Sequence, residues 1–224
     1  MACDGMNRTF RRMLCILAAV VTGCTLVVNG RAMDGRVIDK QTGKPIPGAL
    51  VIVEWSGAVG GPVQSSRVCF HLEVVSTDAD GRYHVPAWSR SPASDTEGGF
   101  FGIRNVEVTR RTYKAGYEQF MYDPRDQTTI LMQRFAANAD QRIVYLSRQG
   151  TPGCGRTDGS RVNEIALWKA ICEEARQLPE ARAMRRAPQN ESLMQEIEGR
   201  LNEIQSDLSA TGTTAPPSER CNAL

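Results

Sequence analysis

The fold class of this chain is decided by the stretch ALVIVEW at residues 49–55. Side chains alternate between the two faces of a β-strand, so the odd and even positions of this stretch form separate sets. One face carries Ala49, Val51, Val53 and Trp55, and the other carries Leu50 and Ile52. Because both faces begin apolar, this segment is predicted to be a central strand.

Similar short segments, rich in Val, Ile, Tyr and Thr and separated by turn clusters, extend on both sides of this strand. No βαβ alternation interrupts them. They predict a mainly β fold, a seven-stranded antiparallel β-sandwich of transthyretin or immunoglobulin type, over residues 33–148. The predicted strands are residues 33–39, 49–55, 67–76, 83–88, 103–111, 128–134 and 141–147.

The pattern becomes helical after Gly159. Ser160 is a suitable N-cap for a helix that runs to about Leu178, before Pro179. A second helix is predicted from about residue 191 to 208, so residues 149–209 form a linker and a helical extension of two helices. Residues 210–224 are predicted to be a disordered tail. The apolar stripe of the first helix is Val162, Ile165, Trp168, Cys172 and Ala175.

The N-terminus has the pattern of an export signal. Three arginines precede the apolar run 13–21, and the run ends in Val21-Thr22-Gly23-Cys24. Small residues before a cysteine resemble a bacterial lipobox, in which the cysteine sulfur carries the lipid. We therefore expect a signal peptide over residues 1–23, lipidation of Cys24 and a short tether over residues 24–32.

Two alternatives to the lipobox are open. The apolar run continues to Val28, and Gly30-Arg31-Ala32 fits the small-x-small rule for cleavage after Ala32, which would give a soluble periplasmic protein. A retained transmembrane helix is disfavoured, because residues 13–28 are fewer than the ~20 that a bilayer requires.

Charge and composition exclude several functions. The chain has 27 Lys and Arg and 25 Asp and Glu, and residues 1–23 hold three arginines and one aspartate, which leaves 24 of each sign. A net charge of zero gives no electrostatic case for nucleic acid. Two histidines, His71 and His84, rule out a site with three histidine ligands, and no Cys-x-x-Cys motif is present. We expect no metal and no cofactor.

Four cysteines follow Cys24, an even set that favours disulfides in an oxidising compartment. Cys154 lies in a Gly-rich loop that can fold back onto the helix carrying Cys172, so a Cys154–Cys172 disulfide is predicted. A buried free thiol at Cys172 is the alternative. Cys69 is then either a buried free thiol or the partner of Cys221.

Two motifs carry a family resemblance. They are GRVIDKQTGKPIPGALV at residues 35–51 and TDADGRYHVP at residues 77–86, with Ala115-Gly116-Tyr117 further along. Together they resemble the carboxypeptidase regulatory-like domain, a transthyretin-like β-sandwich, over residues 33–148. The resemblance implies the regulatory-like domain without the catalytic one.

The candidate catalytic and metal residues have structural interpretations. Asp78-x-Asp80-Gly81 lacks the further acidic ligands of a calcium loop and is predicted to be a hairpin turn. His71 and His84 are predicted on consecutive strands, roughly 13 Å apart at ~3.3 Å per residue, too far to share a metal. No nucleophile elbow or phosphate loop is present, so no enzymatic activity is expected.

These observations predict a non-catalytic, lipid-anchored envelope protein whose β-sandwich is an interaction or structural module. Since Thr25 rather than Asp follows Cys24, the outer membrane, facing the periplasm, is the expected location. The partner is then the membrane, through the lipid, and an envelope protein or glycan that the sequence does not identify. The alternatives are a soluble periplasmic accessory protein and a carbohydrate-binding module with exposed aromatic side chains, for which the candidates are Trp55, Trp88, Phe100 and Phe101.

Overall fold

The computed structural model describes residues 28–60, 65–90, 104–123, 126–136, 138–147, 149, 160–178, 195, 197–199, 201–203 and 206. Over this part of the chain the protein is mainly β, with three sheets and a helical layer. The strands are β1 (Val28–Gly30), β2 (Met33–Asp39), β3 (Leu50–Gly60), β4 (Ser65–Ser76), β5 (Arg82–Val85), β6 (Trp88–Arg90), β7 (Arg104–Tyr113), β8 (Tyr117–Asp123) and β9 (Asp126–Arg134). The helices are α1 (Ala139–Ser147) and α2 (Ser160–Gln177).

The strands form a four-stranded sheet in the order β5-β2-β9-β8, a three-stranded sheet in the order β4-β3-β7, and a ribbon of β1 and β6. β3 is the central strand of its sheet, as predicted. The strands pair antiparallel except for β2 and β9, which pair parallel. The prediction of an all-antiparallel arrangement is wrong at this pair, because the whole three-stranded sheet lies between β2 and β9 in the chain and supplies the long crossover that parallel strands need.

The two-stranded ribbon continues the pairing of β2 with β5. Met33 pairs with Val85 and Gly30 pairs with Trp88, so both ladders keep one register across the gap between them. Pro86 lies in that gap, and proline has no N–H to donate to a ladder. The stretch 24–32 that the sequence predicts to be a tether therefore contains a strand of the fold.

Two hydrophobic cores lie on opposite faces of the three-stranded sheet. The sheet–sheet core contains buried side chains from both larger sheets, among them Val37, Val51, Val53, Trp55, Phe70, Tyr83, Ile130 and Met132. The helix-side core joins Ile52, Leu72 and Tyr113 to α1, α2 and residues 197 and 201. The odd positions of β3 face the first core and Ile52 faces the second, as the alternation of residues 49–55 predicts.

Residues 141–147, predicted to be a strand, are helical in α1. The segment is rich in β-formers, but its buried positions Arg142, Ile143 and Leu146 have helical spacing, while Val144 is 46 % exposed. Asn138 caps the helix, since its Oδ1 accepts a 3.0 Å hydrogen bond from the Gln141 N–H. Tertiary packing and a cap thus outweigh β propensity here.

The first of the two predicted C-terminal helices is present as α2. α2 begins at Ser160 and ends at Gln177, and its predicted stripe positions Trp168, Cys172 and Ala175 are buried in the helix-side core. The described residues between 195 and 206 are helical. β1 and β8 were not predicted from the sequence. Within the described residues, we find no helix with the length and apolarity needed to cross a membrane.

Candidate functional site

The predicted site residues fall partly outside the described residues. Cys24, Cys154, Cys221 and the loop aromatics Phe100 and Phe101 all lie there. Lipidation of Cys24 therefore stays a prediction. What the structure does show is how the chain that follows Cys24 joins the domain, and which polar groups are buried.

β1 is held in the β domain by its strand pairing and by side-chain packing. Gly30 is buried, and a Cβ at this position would overlap the indole ring of Trp88. Val28 packs against the sheet–sheet core together with Met33. Glycine is required at position 30 because only a residue without a side chain admits the ring. β1 is thus held both by its ladder to β6 and by the Trp88 side chain.

Trp88 belongs to a cluster of aromatic rings next to β1. Its ring stacks on His71 at a centroid distance of 4.0 Å and meets Trp55 edge-on at 5.3 Å. The Nε2 of His71 lies 3.1 Å from the Glu73 carboxylate. Trp55 is only 3 % exposed, and its ring is tilted by 81° to that of Trp88. The two indoles therefore form no flat, open platform, which weighs against a sugar-binding face built on them.

A second polar cluster joins the helices to the sheets, and we call it the Arg142 cluster: Arg142, Glu174, Tyr113 and the backbone of residues 114–117. The Arg142 guanidinium donates two hydrogen bonds of 2.9 Å to the Glu174 carboxylate. Tyr113 donates to the same carboxylate at 2.7 Å, and the Gly116 N–H donates at 2.8 Å. Arg142 and Glu174 are 3 % and 7 % exposed.

The Arg142 cluster satisfies its own charges. Arg142 also donates to the carbonyl of Tyr117 at 2.7 Å, and its guanidinium lies over the rings of Phe135 and Tyr145. Burial, and then the adjacent Glu174 carboxylate, raise the pKa of Tyr113 above its ordinary value, so the phenol keeps the proton that it donates. A buried ion pair with this many hydrogen bonds fixes the position of the helices rather than offering a reactive group.

The sequence analysis missed the Arg142 cluster, because Arg142 lies 29 residues after Tyr113 and 32 residues before Glu174, and the three residues share no motif. One signal was available: Asn138 three residues before Gln141 has the spacing of a helix cap, and a helix starting there places Arg142 in its first turn. That signal identifies the helix but not the partner of the arginine.

Two cysteines lie where the helical layer packs on the three-stranded sheet. Cys69 on β4 and Cys172 on α2 are each disulfide-bonded and both pack in the helix-side core. The free-thiol alternatives for these two residues are therefore wrong. Cys154 and Cys221 lie outside the described residues, so the predicted Cys154–Cys172 pairing stays a prediction.

The predicted turn at Asp78–Gly81 is present, but the prediction of a hairpin is wrong, because β4 and β5, the strands that the turn joins, belong to different sheets. The Oδ1 atom of Asp78 accepts hydrogen bonds from the N–H groups of Asp80 and Arg82, at 2.9 and 2.8 Å. Gly81 follows with φ of 69°. These bonds close a turn with an Asx side chain.

The two histidines lie in different sheets and have separate carboxylate neighbours. His84 Nδ1 is 2.7 Å from Asp34 at the exposed surface, whereas His71 lies beside Glu73 among the aromatic rings. Among the residues that the structure describes, no three His, Cys, Asp or Glu side chains are grouped so as to hold a metal ion.

Two carboxylates of the sheets have shifted pKa values with different causes. Hydrogen bonds from the backbone N–H groups of Thr42 and Gln41 lower the pKa of Asp39 against the opposing effect of burial. Burial raises the pKa of Glu54 despite the nearby Arg111 and Arg67. The Asp39 carboxylate closes a turn. The Glu54 carboxylate, on β3, lies near Arg111 of β7 and Arg67 of β4.

Comparisons of the chain with protein-family models, with curated proteins and with solved structures found no match. The resemblance of residues 35–51 and 77–86 to carboxypeptidase regulatory-like domains therefore stays a hypothesis that those two motifs carry.

Proposed function

We propose that this chain is a non-catalytic, lipid-anchored protein of the bacterial cell envelope, attached through Cys24, whose β domain is an interaction or structural module. The observation that carries the proposal is the position of β1. This strand begins at Val28, four residues after Cys24 and before the alternative cleavage site at Ala32.

Cleavage after Ala32 would remove β1 from the domain. It would take away the ladder partner of β6 and the glycine over which Trp88 lies. Cleavage before Cys24 keeps both. The fold therefore favours the lipobox over the soluble periplasmic alternative.

The disulfides support export. Cys69 and Cys172 are both disulfide-bonded, and such bonds form and persist in oxidising compartments rather than in the bacterial cytosol. They do not distinguish the periplasm from the outer membrane. The outer-membrane location rests on Thr25 following Cys24 in the sequence.

The proposed domain type is a transthyretin-like sandwich of seven strands with a helical extension. The two larger sheets have four and three strands and share the sheet–sheet core. The motif glycines have a physical reason: a Cβ at Gly35 would overlap the phenol of Tyr83 and the carbonyl oxygen of Thr128. Gly35 and Tyr83, one from each motif, thus fit each other across β2 and β5.

A structural or binding role fits the buried polar groups better than catalysis does. Arg142 and Glu174 bond to each other and to backbone groups, and both are almost completely buried. A catalytic acid or base must reach a substrate, which this pair does not.

Metabolic labelling with radioactive palmitate tests the proposal. We expect label in the wild-type protein, loss of label in Cys24→Ala, and unchanged labelling in Cys15→Ala, a matched control within the predicted signal peptide. An unlabelled wild type, or label that survives Cys24→Ala, would show that the anchor is not at Cys24.

A further inference from the structure

We infer that one end of the β domain is held against the lipid leaflet and presents exposed valines of β7 to it, an inference that rests on the proposed lipidation of Cys24. We call this end the ribbon end; it comprises β1, β6, and the halves of β3, β4 and β7 beyond Trp55. The opposite end, which comprises the turns at residues 39–43, 78–81 and 114–116, is called the turn end.

The first step is the length of chain between the lipid and the fold. Three residues separate Cys24 from Val28. Because consecutive Cα atoms of an extended chain advance at most 3.3–3.6 Å, Val28 lies within about 14 Å of the lipidated cysteine. β1 is anchored by its pairing with β6 and by Trp88, so Val28 already belongs to the β domain. The three residues between Cys24 and Val28 therefore limit how far the domain can move from the lipid.

The second step is the direction in which the domain extends. β1 and β6 continue the β2–β5 ladder beyond Met33 and Val85. From Met33, β2 runs away from the ribbon to Asp39, a distance of about 20 Å at ~3.3 Å per residue. Tyr117, which follows the turn at 114–116, lies with its hydroxyl 3.3 Å from Asp39. The turns at residues 39–43 and 114–116 therefore lie together, at the end of β2 remote from the ribbon.

The third step is the surface that the ribbon end presents. All six residues of β7 from 104 to 109 are exposed, and Val106 and Val108 are 46 % and 48 % exposed. Val108 pairs with Trp55, whose ring meets that of Trp88 edge-on, so Val108 lies near the ribbon end and on the Trp55 face of the sheet. Val106 lies two residues further along β7 toward the ribbon end. At the other end of β7, Thr112 and Tyr113 are buried.

These observations identify a lipid leaflet as the surface that the exposed valines contact. A lipid leaflet within about 14 Å of Val28 meets the ribbon end first. Exposed apolar side chains next to a membrane anchor gain by entering the interfacial region. Arg67, whose side chain is 57 % exposed and pairs with Glu107, provides a polar rim beside them. The turn end, with the β2–β3 connection, then faces away from the membrane and is available to a partner.

Fluorescence quenching in vesicles tests this orientation. The full chain is purified from the membrane fraction with an environment-sensitive fluorescent amino acid at position 108, at position 106 or, as the control, at position 41, an exposed residue of the turn 39–43. Each protein is reconstituted in vesicles of phosphatidylethanolamine and phosphatidylglycerol that contain lipids with a nitroxide headgroup. Intact mass confirms the lipid, and thermal unfolding confirms the fold of each variant.

We expect severalfold stronger quenching at positions 108 and 106 than at position 41. Inserting a Gly/Ser linker of about 20 residues between Leu26 and Val27, which spans roughly 25 Å, should reduce quenching at position 108 to the level of position 41. Equal quenching at 108 and 41 in a protein that carries the lipid would overturn the orientation and leave the proposed anchor intact. If no lipid is found by mass, the anchor is wrong and the orientation falls with it. Position 106 replaces 108 if the variant at 108 does not fold.

Discussion

The two faces of the three-stranded sheet are packed by different means. The sheet–sheet core is filled by aliphatic and aromatic side chains at alternating positions of neighbouring strands. On the other face, the helix-side core includes apolar side chains as well, but the helices are also joined to the sheets by the Arg142 cluster. The disulfide-bonded Cys69 and Cys172 pack in the same core. Non-directional burial is sufficient between the two sheets, because backbone ladders already hold the strands of each sheet in register. The helices have no such ladder to the sheets, and directional bonds help to position them.

The largest effect is expected from breaking the Arg142 cluster. Glu174→Ala leaves the Arg142 guanidinium buried without its counterion, which should lower the free energy of unfolding by about 3–5 kcal/mol. Urea denaturation of the purified domain measures this. The neighbouring Glu173→Ala, whose side chain is 61 % exposed, is the matched control and should change stability by less than about 0.5 kcal/mol.

The double variant Arg142→Met with Glu174→Leu sharpens this prediction. Apolar replacement of both partners removes the buried charge and should restore most of the stability lost in Glu174→Ala. If Glu174→Ala behaves like Glu173→Ala, the ion pair does not hold the helices, and the contrast between the two faces is wrong.

The next largest effect concerns the disulfide of Cys172. Loss of this bond in Cys172→Ser should cost about 3 kcal/mol, the contribution of a cross-link that closes a short loop. If Cys154 is the partner, Cys154→Ser and the double variant should have the same stability as Cys172→Ser. Non-reducing peptide mapping checks the pairing directly, and a peptide joining Cys172 to Cys69 or Cys221 would show that the predicted connectivity is wrong.

A smaller effect on stability is expected from two glycine substitutions in turns of the β-sheet part of the domain. Gly81 and Gly43 both have positive φ, 69° and 68°, but a Cβ at Gly81 would lie 2.6 Å from the Val37 carbonyl oxygen, whereas one at Gly43 meets nothing within 4 Å. Gly81→Ala should therefore cost roughly 1–3 kcal/mol more than Gly43→Ala, the usual range for overpacking. Thermal unfolding of the two variants compares them, and equal losses would mean that only backbone conformation matters at position 81.

The sequence predicts the sheet–sheet face of the three-stranded sheet better than the face that the helices cover. The alternation at residues 49–55 correctly predicts a central strand and which side chains share a face, because a strand has a period of two and one local segment contains the information. The turn at Asp78 and Gly81 is likewise local. The Arg142 cluster is not, since Tyr113, Arg142 and Glu174 come from three elements and meet only after folding.

Residues 141–147 show why local β propensity gives the wrong prediction where the sheets meet the helical layer. Ile143, Val144 and Tyr145 favour a strand, yet the segment is helical because Arg142, Ile143 and Leu146 are buried together on α1. The resemblance that covers residues 33–148 extends the predicted sandwich through this helix. For the candidate anchor, sequence left two cleavage sites open, and only the position of β1 distinguishes them.

The smallest effect is expected at Asp39, where the turn end closes. Its pKa is lowered below the ordinary 3.8 by backbone hydrogen bonds from Thr42 and Gln41, so the folded state favours the ionised form. This stability is present above the unfolded-state pKa and is lost as pH falls through the lower folded-state pKa. The stability difference between wild type and Asp39→Asn should therefore shrink below about pH 4. A difference that does not depend on pH in urea titrations between pH 2 and 6 would contradict this assignment.

The mature N-terminus tests the central claim most directly. Intact-mass and tandem mass spectrometry of the protein extracted from the membrane fraction identify its first residue and any modification. The account predicts a chain that begins at Cys24 and carries a diacylglyceryl group, with β1 retained. A mature chain that begins at Met33, without lipid and without Val28–Gly30, would contradict it.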